Sequence, residues 1–497
     1  MIYKDDPTTI QAFLSDTSNL KNGWTPGIFF PENATEISEL LREASENGRR
    51  FTIAGNGTGT TGGRIPEGDY VISMQKLRNI GDPVTIGANE AVVTVQAGAI
   101  LEDIQQKTER EGWLYPPDPT ETLCFIGSTI ANNSSGARTF RYGPTRNHIR
   151  RILVALPQGD LLDIPRGKHL ADANDRFHLE LPSGKSLSFK RPGYRMPEIS
   201  KHNAGYYSKQ GMDIIDLFIG SEGTLGVIVE ADLRLVPLPR RLFSGLVYFR
   251  SIDDLFGFTA GAKAPSSQVC PRALEFFDPN SLQFLRQNYP DIPEEATGAI
   301  FFEQETSQEE EDRHLQGWLE LMSSFGALVD LSPIALERQE QRKLTALRHA
   351  LPSLVNEWLG RQEESKISTD MAVPDHAFRE LYDMYDRSCR KNNFTFIIFG
   401  HIGNAHVHLN ILPRNREEFG RAKMLYRELV EKAIALGGTI SAEHGIGKLK
   451  SPYLVAMYGD DGVREMAAVK KQLDPALVLN IGNLIPRTSA KDRKSVV

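Results

Sequence analysis

The feature that most constrains this chain is a glycine-rich stretch at residues 54–64, AGNGTGTTGGR. Because glycine has no Cβ, a backbone of this composition adopts positive φ readily and can lie directly against a ligand. Successive exposed N–H groups in such a loop form a concave anion-binding nest, and the threonines add hydroxyl donors. The stretch therefore predicts a loop that binds a phosphate or pyrophosphate. A long glycine turn between two strands is the alternative.

A G-x-G-x-x-G pattern can be read within this loop, from Gly57 to Gly62. In a dinucleotide-binding Rossmann domain, that pattern opens a helix. Here Pro66 and Gly68 follow at once, and both residues disfavour a helix. The next residues, 70–74 (YVISM), have the composition of a strand. The context therefore predicts a strand–loop–strand phosphate cradle and argues against a Rossmann domain.

Length and composition bound the class of protein. The chain has 497 residues, 40% hydrophobic and 24% charged, which is typical of a soluble globular protein of two or three domains. The net charge of -7 gives no reason to expect a nucleic-acid partner. Three widely spaced cysteines (Cys124, Cys270 and Cys389) suit a reducing compartment. The polar N-terminus is unlike a signal peptide, and no apolar run approaches the ~18 residues of a membrane span. We therefore expect a cytoplasmic protein without a transmembrane segment, with peripheral attachment at the inner face of a membrane left open.

Two further stretches share the glycine-rich, polar character. Residues 116–143 begin with prolines that fix an extended segment and continue through GSTIANNSSG. A polar loop of this length is usually functional or disordered, and a plain surface loop is the alternative. Residues 220–226, GSEGTLG, predict a tight turn into a following strand. Hydrophobic periodicity predicts helices at 34–44 (N-cap Thr35, C-terminal stop Gly48), 100–110, 303–325 and 344–359 (interrupted at Pro352), and strands at 51–54, 70–74 and 91–96.

Together, the three glycine-rich stretches resemble the FAD-binding domain of the vanillyl-alcohol oxidase/p-cresol methylhydroxylase superfamily. Within it, the chain is most similar to the D-lactate, glycolate and D-2-hydroxyglutarate dehydrogenase branch, over roughly residues 24–487. The resemblance implies an α+β fold, with a two-subdomain PCMH-type FAD-binding domain and an α+β cap domain built on an antiparallel sheet. The implied segments are a helical lead-in at 1–23, the FAD-binding domain at 24–240, the cap at 241–435, a segment returning to the flavin at 436–487 and a polar tail at 488–497.

The resemblance also implies which residues bind the cofactor. They are Gly55, Asn56, Gly57, Thr58, Gly59, Gly62, Pro117, Asp118, Thr120, Gly127, Ser128, Asn132, Asn133, Gly136, Ile228 and Asn480. Members that attach FAD covalently often use a histidine in the first loop, whereas the first histidine of this chain is His148. We therefore expect noncovalent FAD.

The stretch richest in reactive side chains is 399–410, FGHIGNAHVHLN, which holds three of the chain's 11 histidines. Residues two apart on a strand share a face, so His406 and His408 can point the same way. A second glycine-framed segment, GGTISAEHGIGK, adds Glu443 and His444. Two imidazoles and a carboxylate suit Zn²⁺ or Mn²⁺ with positions open for substrate. A structural strand with spare histidines is the alternative.

The resemblance assigns roles to these side chains. It places the metal ligands on His401, His408 and Glu443, and the catalytic base on His444. It further places a polar substrate contact on Asn410 and the carboxylate-binding arginine on Arg348. The chain departs from the family where Gly-Asp-Gly-Asn is usual, because residues 403–406 read Gly-Asn-Ala-His. The extra imidazole of His406 is either a fourth ligand or a change in the pocket.

Two other departures concern basic residues. The family has a basic residue two positions before Asp370, where this chain has Ser368, and Lys366 is the candidate to replace it. Residues 163–210, rich in charge, proline and glycine, fall where the family has a variable loop. We expect its basic side chains to be solvated, with contact to a partner or an anionic surface as the alternative. They are Arg166, Lys168, Lys185, Lys190, Arg191, Arg195 and Lys201.

The resemblance implies FAD-dependent oxidation of a 2-hydroxy acid, D-configured or glycolate, to the 2-oxo acid. The expected mechanism is metal-assisted hydride transfer to flavin N5, with His444 taking the hydroxyl proton. The expected partners are an electron acceptor (quinone, cytochrome, electron-transfer flavoprotein or oxygen) and a second copy in a homodimer. Two alternatives stay open: a nonredox flavoprotein like alkylglycerone-phosphate synthase, and a noncatalytic FAD-binding subunit of a glycolate-oxidase-like complex.

Overall fold

The computed structural model of the chain describes residues 1–21, 23–362 and 364–486. The strands in these ranges are β1 (Ile2–Lys4), β2 (Ile28–Phe30), β3 (Phe51–Ala54), β4 (Tyr70–Ser73), β5 (Val84–Gly87), β6 (Glu90–Gln96), β7 (Trp113–Leu114), β8 (Ile149–Ala155), β9 (Leu161–Pro165), β10 (Arg176–Glu180), β11 (Ser186–Lys190), β12 (Val227–Pro237), β13 (Arg241–Phe249), β14 (Pro271–Phe277), β15 (Gly298–Thr306), β16 (Ile334–Ala335), β17 (Ile367–Ser368), β18 (Thr395–Gly400) and β19 (His408–Leu412). The α-helices are α1 (Pro7–Gln11), α2 (Ala34–Asn47), α3 (Leu101–Arg110), α4 (Ile126–Ala131), α5 (Thr139–Tyr142), α6 (Ile215–Phe218), α7 (Ile252–Lys263), α8 (Pro279–Arg286), α9 (Glu311–Ser324), α10 (Arg338–Gly360), α11 (Phe378–Lys391), α12 (Arg416–Ala435) and α13 (Leu454–Leu473). The predicted polar tail at 488–497 lies outside the described residues.

The N-terminal half is built on two larger sheets and a separate antiparallel pair, β10–β11. The first has the strand order β1-β2-β4-β3, in which β3 and β4 are parallel neighbours joined by the glycine-rich loop without a helix. This confirms the predicted strand–loop–strand arrangement. The second sheet has the order β5-β6-β12-β8-β9 and is antiparallel, with β7 also paired to β12. The long strand β12 follows the GSEGTLG turn, so the chain leaves this turn directly into the central strand of the second sheet.

The C-terminal half is built on an antiparallel sheet of order β16-β13-β15-β14-β18-β19-β17. Side chains of β14 alternate between two apolar layers, with Phe276 in one and Phe277 in the other. Helices α7 and α9 contribute to the first layer, and α8 and α10 contribute to the second. The sheet is therefore covered on both faces, and the predicted α+β class with an antiparallel cap sheet is confirmed.

Several predicted element ends are confirmed and others are wrong. Helix α3 and strand β3 lie where the periodicity placed them. Helix α2 also forms and ends at Gly48, which adopts φ 69°, but its N-cap is Asn33 and not Thr35. The Asn33 side chain accepts a hydrogen bond from the Glu36 N–H at 2.9 Å, so the helix begins before Thr35. The predicted helical lead-in is only partly helical, because a short strand, β1, precedes α1.

The predicted helix at 303–325 is wrong over its first residues, which belong to strand β15. Cross-strand ion pairs account for the difference, because Arg272 on β14 lies 2.7 Å from Glu303 and 3.5 Å from Glu305. The predicted interruption of the next helix is also wrong, since α10 runs through Pro352. A proline inside a helix costs about 3 kcal/mol. Helix α10 buries four apolar side chains, each stabilising it by about 1.5–3 kcal/mol, which outweighs that cost.

The segment after α13 returns to the first sheet. Leu479 forms a parallel bridge with Phe51 of β3, and Asn480 N–H donates to the Phe51 carbonyl at 2.8 Å. The Asn480 side chain accepts from the Ile53 N–H at 2.7 Å and donates to the Glu222 carbonyl at 2.7 Å. Residue 480 therefore joins the strand that precedes the glycine-rich loop to the GSEGTLG turn.

Within the described ranges, no helix is long and apolar enough to cross a membrane.

Candidate active site

The glycine-rich loop is held open by close packing around its backbone. Gly57 and Gly62 adopt φ 81° and 73°, a region that favours glycine. A Cβ on Gly55 would lie 2.0 Å from the Ser128 hydroxyl, so a larger residue there would displace the Ser128 side chain. The Arg64 guanidinium donates to the Gly55 carbonyl at 3.0 Å and fixes the loop from behind. The result is a cradle of bare backbone, as a pyrophosphate site requires.

This loop forms one wall of a cavity of about 360 Å³. The opposite end is lined by the histidine- and glutamate-bearing segments of the C-terminal half. Most of the predicted cofactor residues line the cavity: Gly55, Asn56, Gly57, Thr58, Gly59, Thr120, Gly127, Ser128, Asn132, Gly136, Ile228 and Asn480. The four other predicted residues are not part of the lining: Gly62, Pro117, Asp118 and Asn133. Asn133 instead braces the wall, since its side chain donates to Asn203 at 2.8 Å and accepts from the Arg146 N–H at 2.9 Å.

At the far end of the cavity, three imidazoles and a carboxylate converge. Ligand atoms of His401, His406, His408 and Glu443 all lie within 4.8 Å of one another, and all four residues are buried. The strand pair β18–β19 positions the histidines, because His401 follows β18 and His408 begins β19. Their Nε2 atoms lie 3.2 Å (His401) and 3.8 Å (His408) from Glu443 Oε2. The two histidines and the glutamate predicted as ligands are thus brought together.

Each of the two predicted histidine ligands has an outer partner. His401 Nδ1 lies 2.6 Å from Glu275 Oε1, and His408 Nδ1 lies 3.1 Å from the Thr369 carbonyl. Such partners orient a metal-binding imidazole and select its tautomer. Burial alone would lower the pKa of His401, but the carboxylates of Glu275 and Glu443 outweigh it and raise that pKa to about 9. Burial, together with the neighbouring imidazoles, holds the pKa of His408 well below its usual value.

The other oxygen of Glu443 faces a buried lysine. Lys201 Nζ donates to Glu443 Oε1 at 2.5 Å and to the Gly136 carbonyl at 2.9 Å, and its side chain is fully buried. Ser135 Oγ donates to the same carboxylate oxygen at 3.0 Å. Burial would raise the pKa of Glu443, but the charges of His401 and Lys201 hold it well below its usual value. The carboxylate is therefore ionised, and its Oε2 is directed at the histidines.

His444, the predicted base, also lines the cavity and is 34% exposed. Its Nδ1 lies 3.5 Å from Asp370 Oδ2, and the same carboxylate accepts from Lys450 Nζ at 2.8 Å. Burial lowers the pKa of His444 despite the nearby Asp370, and the charges of Lys450 and of the half-buried Lys366 act in the same direction as burial. The imidazole is therefore neutral at neutral pH and able to accept a proton. Whether Lys366 replaces the family's basic residue stays a prediction.

Arg348 of α10 lines the cavity as predicted, but its guanidinium is already paired. Its Nε and Nη2 lie 3.2 and 3.1 Å from Glu275 Oε2, so this carboxylate bridges Arg348 to His401. Since a guanidinium carries five N–H donors, others remain for a ligand. Asn410 lies on β19, buried, outside the cavity lining, and its Nδ2 has no hydrogen-bond partner among the described residues. Its contact with substrate stays a prediction.

Sequence reasoning missed Glu275 and Lys201. Glu275 has a detectable signal, because it is an acidic residue within the otherwise apolar run ALEFF of a buried strand. Lys201 has no such signal, since it stands in a loop among exposed basic residues. The expectation that all basic residues of 163–210 are solvated is wrong for three of them. These form internal ion pairs: Arg166–Asp216 (3.1 Å), Arg191–Asp175 (2.9 Å) and Lys201–Glu443 (2.5 Å). The exposed ones are Lys168, Lys185, Lys190 and Arg195.

Comparison with known proteins identifies the family. The family described as FAD linked oxidases, C-terminal domain, matches residues 238–484, and the family described as FAD binding domain matches residues 25–165. The glycolate oxidase subunit GlcD of Bacillus subtilis (strain 168) is 30% identical over 470 residues, which cover 93% of this chain and 90% of that protein. The chain belongs to the FAD-linked oxidase family. The predicted resemblance and FAD as cofactor are thereby confirmed.

Other members of the FAD-linked oxidase family are similar over nearly the whole chain. A D-lactate dehydrogenase of Anaerostipes hadrus is 28% identical over 95% of this chain and 92% of that protein. A D-2-hydroxyglutarate dehydrogenase of Xanthomonas citri pv. viticola is 27% identical over 97% of this chain and 93% of that protein. Among solved structures, an alkyldihydroxyacetonephosphate synthase has a TM-score of 0.67 at 15% identity, covering 98% of this chain and 82% of that one. At that identity, the last similarity shows the fold alone.

Proposed function

We propose that this protein oxidises a 2-hydroxy acid to the 2-oxo acid with FAD as the electron acceptor and with the help of a divalent metal ion. One observation carries the proposal: a single cavity joins the glycine-rich cradle to the His401–His408–Glu443 cluster and to Arg348. An anionic substrate with a neighbouring hydroxyl has a binding partner for each group at one end of this cavity. The names of the relatives, which include two D-hydroxy-acid dehydrogenases and a glycolate oxidase subunit, support a D-configured acid or glycolate.

The residues of the cradle fit FAD. At Gly55, an added Cβ would lie 2.0 Å from the Ser128 hydroxyl, and Gly223 adopts φ 68°, a conformation that favours glycine. The loop at 55–59 would hold the pyrophosphate through its N–H groups. Residues 127–136 and Ile228 would lie along the flavin. FAD, when bound, accepts a hydride from the substrate carbon.

The cluster at the far end fits a divalent ion. Its donors are imidazole nitrogens and a carboxylate that is ionised and aimed at them, a set that suits Zn²⁺ or Mn²⁺. His401, His408 and Glu443 would hold the ion, with Glu275 and the Thr369 carbonyl orienting the rings. The ion, when bound, lowers the pKa of a hydroxyl that coordinates it.

Two side chains would act on the substrate directly. Arg348 would bind the carboxylate through the donors that Glu275 leaves free, and Glu275 keeps the guanidinium in place. His444 would accept the hydroxyl proton, because it is neutral and reaches the cavity. Asp370, 3.5 Å from its Nδ1, would then stabilise the imidazolium.

Anaerobic bleaching of the bound flavin tests the proposal. FAD-loaded protein supplied with Mn²⁺ or Zn²⁺ is mixed with glycolate and with the D and L forms of lactate and 2-hydroxyglutarate. We expect glycolate or a D acid to bleach the visible flavin band and the L acids to leave it unchanged. The variant His444→Asn should slow bleaching by about 10²–10⁴-fold while the rate still saturates with substrate.

A chelator experiment separates the ion from the flavin. We expect chelation to abolish bleaching without releasing FAD, and added Mn²⁺ or Zn²⁺ to restore it. Full activity in protein shown by elemental analysis to be metal-free would remove the ion from the proposal. If no 2-hydroxy acid bleaches metal-supplied protein, the substrate class is wrong and nonredox chemistry on the same fold becomes the better hypothesis.

A further inference from the structure

His406 is buried at the centre of the histidine cluster, and its Nδ1 has no hydrogen-bond partner among the described residues. Its exposed fraction is 0%, and its other ring nitrogen, Nε2, faces the Asp370 carboxylate at 3.2 Å. The ring centroid lies 5.4 Å from that of His401 and 4.6 Å from that of His408. A buried polar group without a partner costs about 1–3 kcal/mol. This cost is offset if a ligand, such as a metal ion, binds the unpaired ring nitrogen.

The surroundings of His406 resemble those of the two other imidazoles. Its Nε2 lies 3.2 Å from Asp370 Oδ1, which also accepts from the Glu443 N–H, while Lys450 Nζ donates to Oδ2 of the same carboxylate. His401 faces Glu275 in the same way. A carboxylate behind the ring is the usual outer partner of a metal-binding histidine. All three imidazoles of the cluster therefore have an oxygen atom behind them and the Glu443 carboxylate among them.

The backbone before His406 is also unusual. Ala405 adopts φ 50°, a left-handed conformation that costs a non-glycine residue roughly 1–2 kcal/mol. It follows a short turn whose Asn404 side chain donates to Ser200 Oγ at 2.9 Å, so the conformation is held from outside the turn. Backbone strain of this kind persists where the surrounding structure determines it, often at functional sites. Here the turn brings the His406 ring into the cluster.

We propose that His406 is a fourth protein ligand, so that the ion is held by three histidines and Glu443. This inference rests on the metal ion of the proposed function and adds a ligand and a coordination number to it. Four protein ligands fill a tetrahedral shell, which is the arrangement of structural zinc sites that leave no open position. Chelation of a 2-hydroxy acid through its hydroxyl and carboxylate needs two further positions. The site therefore selects an ion that accepts six ligands, such as Mn²⁺, over tetrahedral Zn²⁺.

Metal binding to the FAD-loaded protein tests this directly, without turnover. Calorimetric titration with Mn²⁺ should give one site, and His406→Asn should weaken binding by at least about tenfold, since even outer partners are worth 10–100-fold. X-ray absorption of the Mn²⁺-loaded protein should show three imidazole ligands in the wild type and two in the variant. His148→Asn is the matched control, because His148 is equally buried but lies outside the cluster. It should bind Mn²⁺ as the wild type does.

The possible outcomes separate a failure of the fourth-ligand inference from a failure of the metal site as a whole. If His408→Asn weakens Mn²⁺ binding and His406→Asn does not, the ion is bound by three ligands and the fourth-ligand inference is overturned. If the wild type binds no Mn²⁺ and no Zn²⁺, the metal of the proposed function fails as well. His406→Gln, which keeps more of the side-chain volume, replaces His406→Asn if the latter loses FAD or melts early. An imidazole count of two in the wild type overturns the inference irrespective of either variant.

Discussion

Replacing Lys201 by methionine tests how the charge of Glu443 is balanced. In the structure, the lysine side chain is fully buried and donates to Glu443 Oε1 at 2.5 Å and to the Gly136 carbonyl at 2.9 Å. Lys201→Met keeps most of the apolar stem of the side chain and removes the charge. The variant therefore leaves a buried carboxylate without its nearest cation.

The magnitude follows from what remains around the carboxylate. Removing one partner of a buried ion pair typically costs about 3–5 kcal/mol. Glu443 keeps the Ser135 hydroxyl at 3.0 Å and His401 Nε2 at 3.2 Å, so we expect the lower end of that range, about 3 kcal/mol. A divalent ion on the cluster would supply positive charge to the same carboxylate. The loss should therefore be smaller in protein saturated with Mn²⁺ than in metal-free protein.

Urea unfolding of the FAD-loaded protein, with and without Mn²⁺, measures this effect. The free energies of unfolding are compared only if the variants unfold with the same m value as the wild type. Lys190→Met is the matched control, because Lys190 belongs to the same basic segment but is exposed on β11. It should change the free energy of unfolding by less than about 0.5 kcal/mol. If Lys201→Met is as stable as Lys190→Met, the buried pair does not exist and our account of Glu443 is refuted. Equal losses with and without Mn²⁺ would mean that the ion does not neutralise Glu443.

Three further predictions concern substrate, cofactor and pH. Arg348→Ala should lower kcat/KM for the hydroxy acid that reduces the flavin by about 10–150-fold, the value of one charged hydrogen-bonded contact. Arg348→Lys keeps a charge beside Glu275 and should restore stability more than activity. If stopped-flow bleaching shows an unchanged kcat/KM for Arg348→Ala, the substrate carboxylate does not bind at Arg348. Acid precipitation should release yellow FAD into the supernatant, whereas flavin that stays with the precipitate would show a covalent link. Burial lowers the pKa of His148 to about 4, so the folded state loses stability as pH falls from 6.5 to 4, by roughly 3 kcal/mol. His148→Gln should flatten this part of the stability–pH curve relative to wild type, and parallel curves would contradict the cause.

Local patterns in the chain predicted the parts of the site that depend on neighbouring residues. The glycine-rich loop followed from the absence of Cβ atoms, and the structure shows it between two parallel strands. Helices with a clear apolar stripe and a terminal glycine, such as α2, were placed within a few residues. Predictions failed where tertiary contacts outweigh local preference. Helix α10 continues through Pro352 because its apolar face is buried, and residues 303–306 join a sheet through ion pairs with Arg272.

By itself, the sequence determined that a cradle of bare backbone and a histidine-rich strand exist, because each depends on residues adjacent along the chain. Tertiary structure alone decided which charges meet there. Glu275 reaches His401 across 126 residues, and Lys201 reaches Glu443 across 242. Both contacts depend on the strand order and on how the loop at residue 201 crosses the cluster. Hydrophobic periodicity along the chain contains no information on either. An exposed lysine and a buried one look alike in the sequence, since burial is a property of what packs around a side chain and not of the side chain itself.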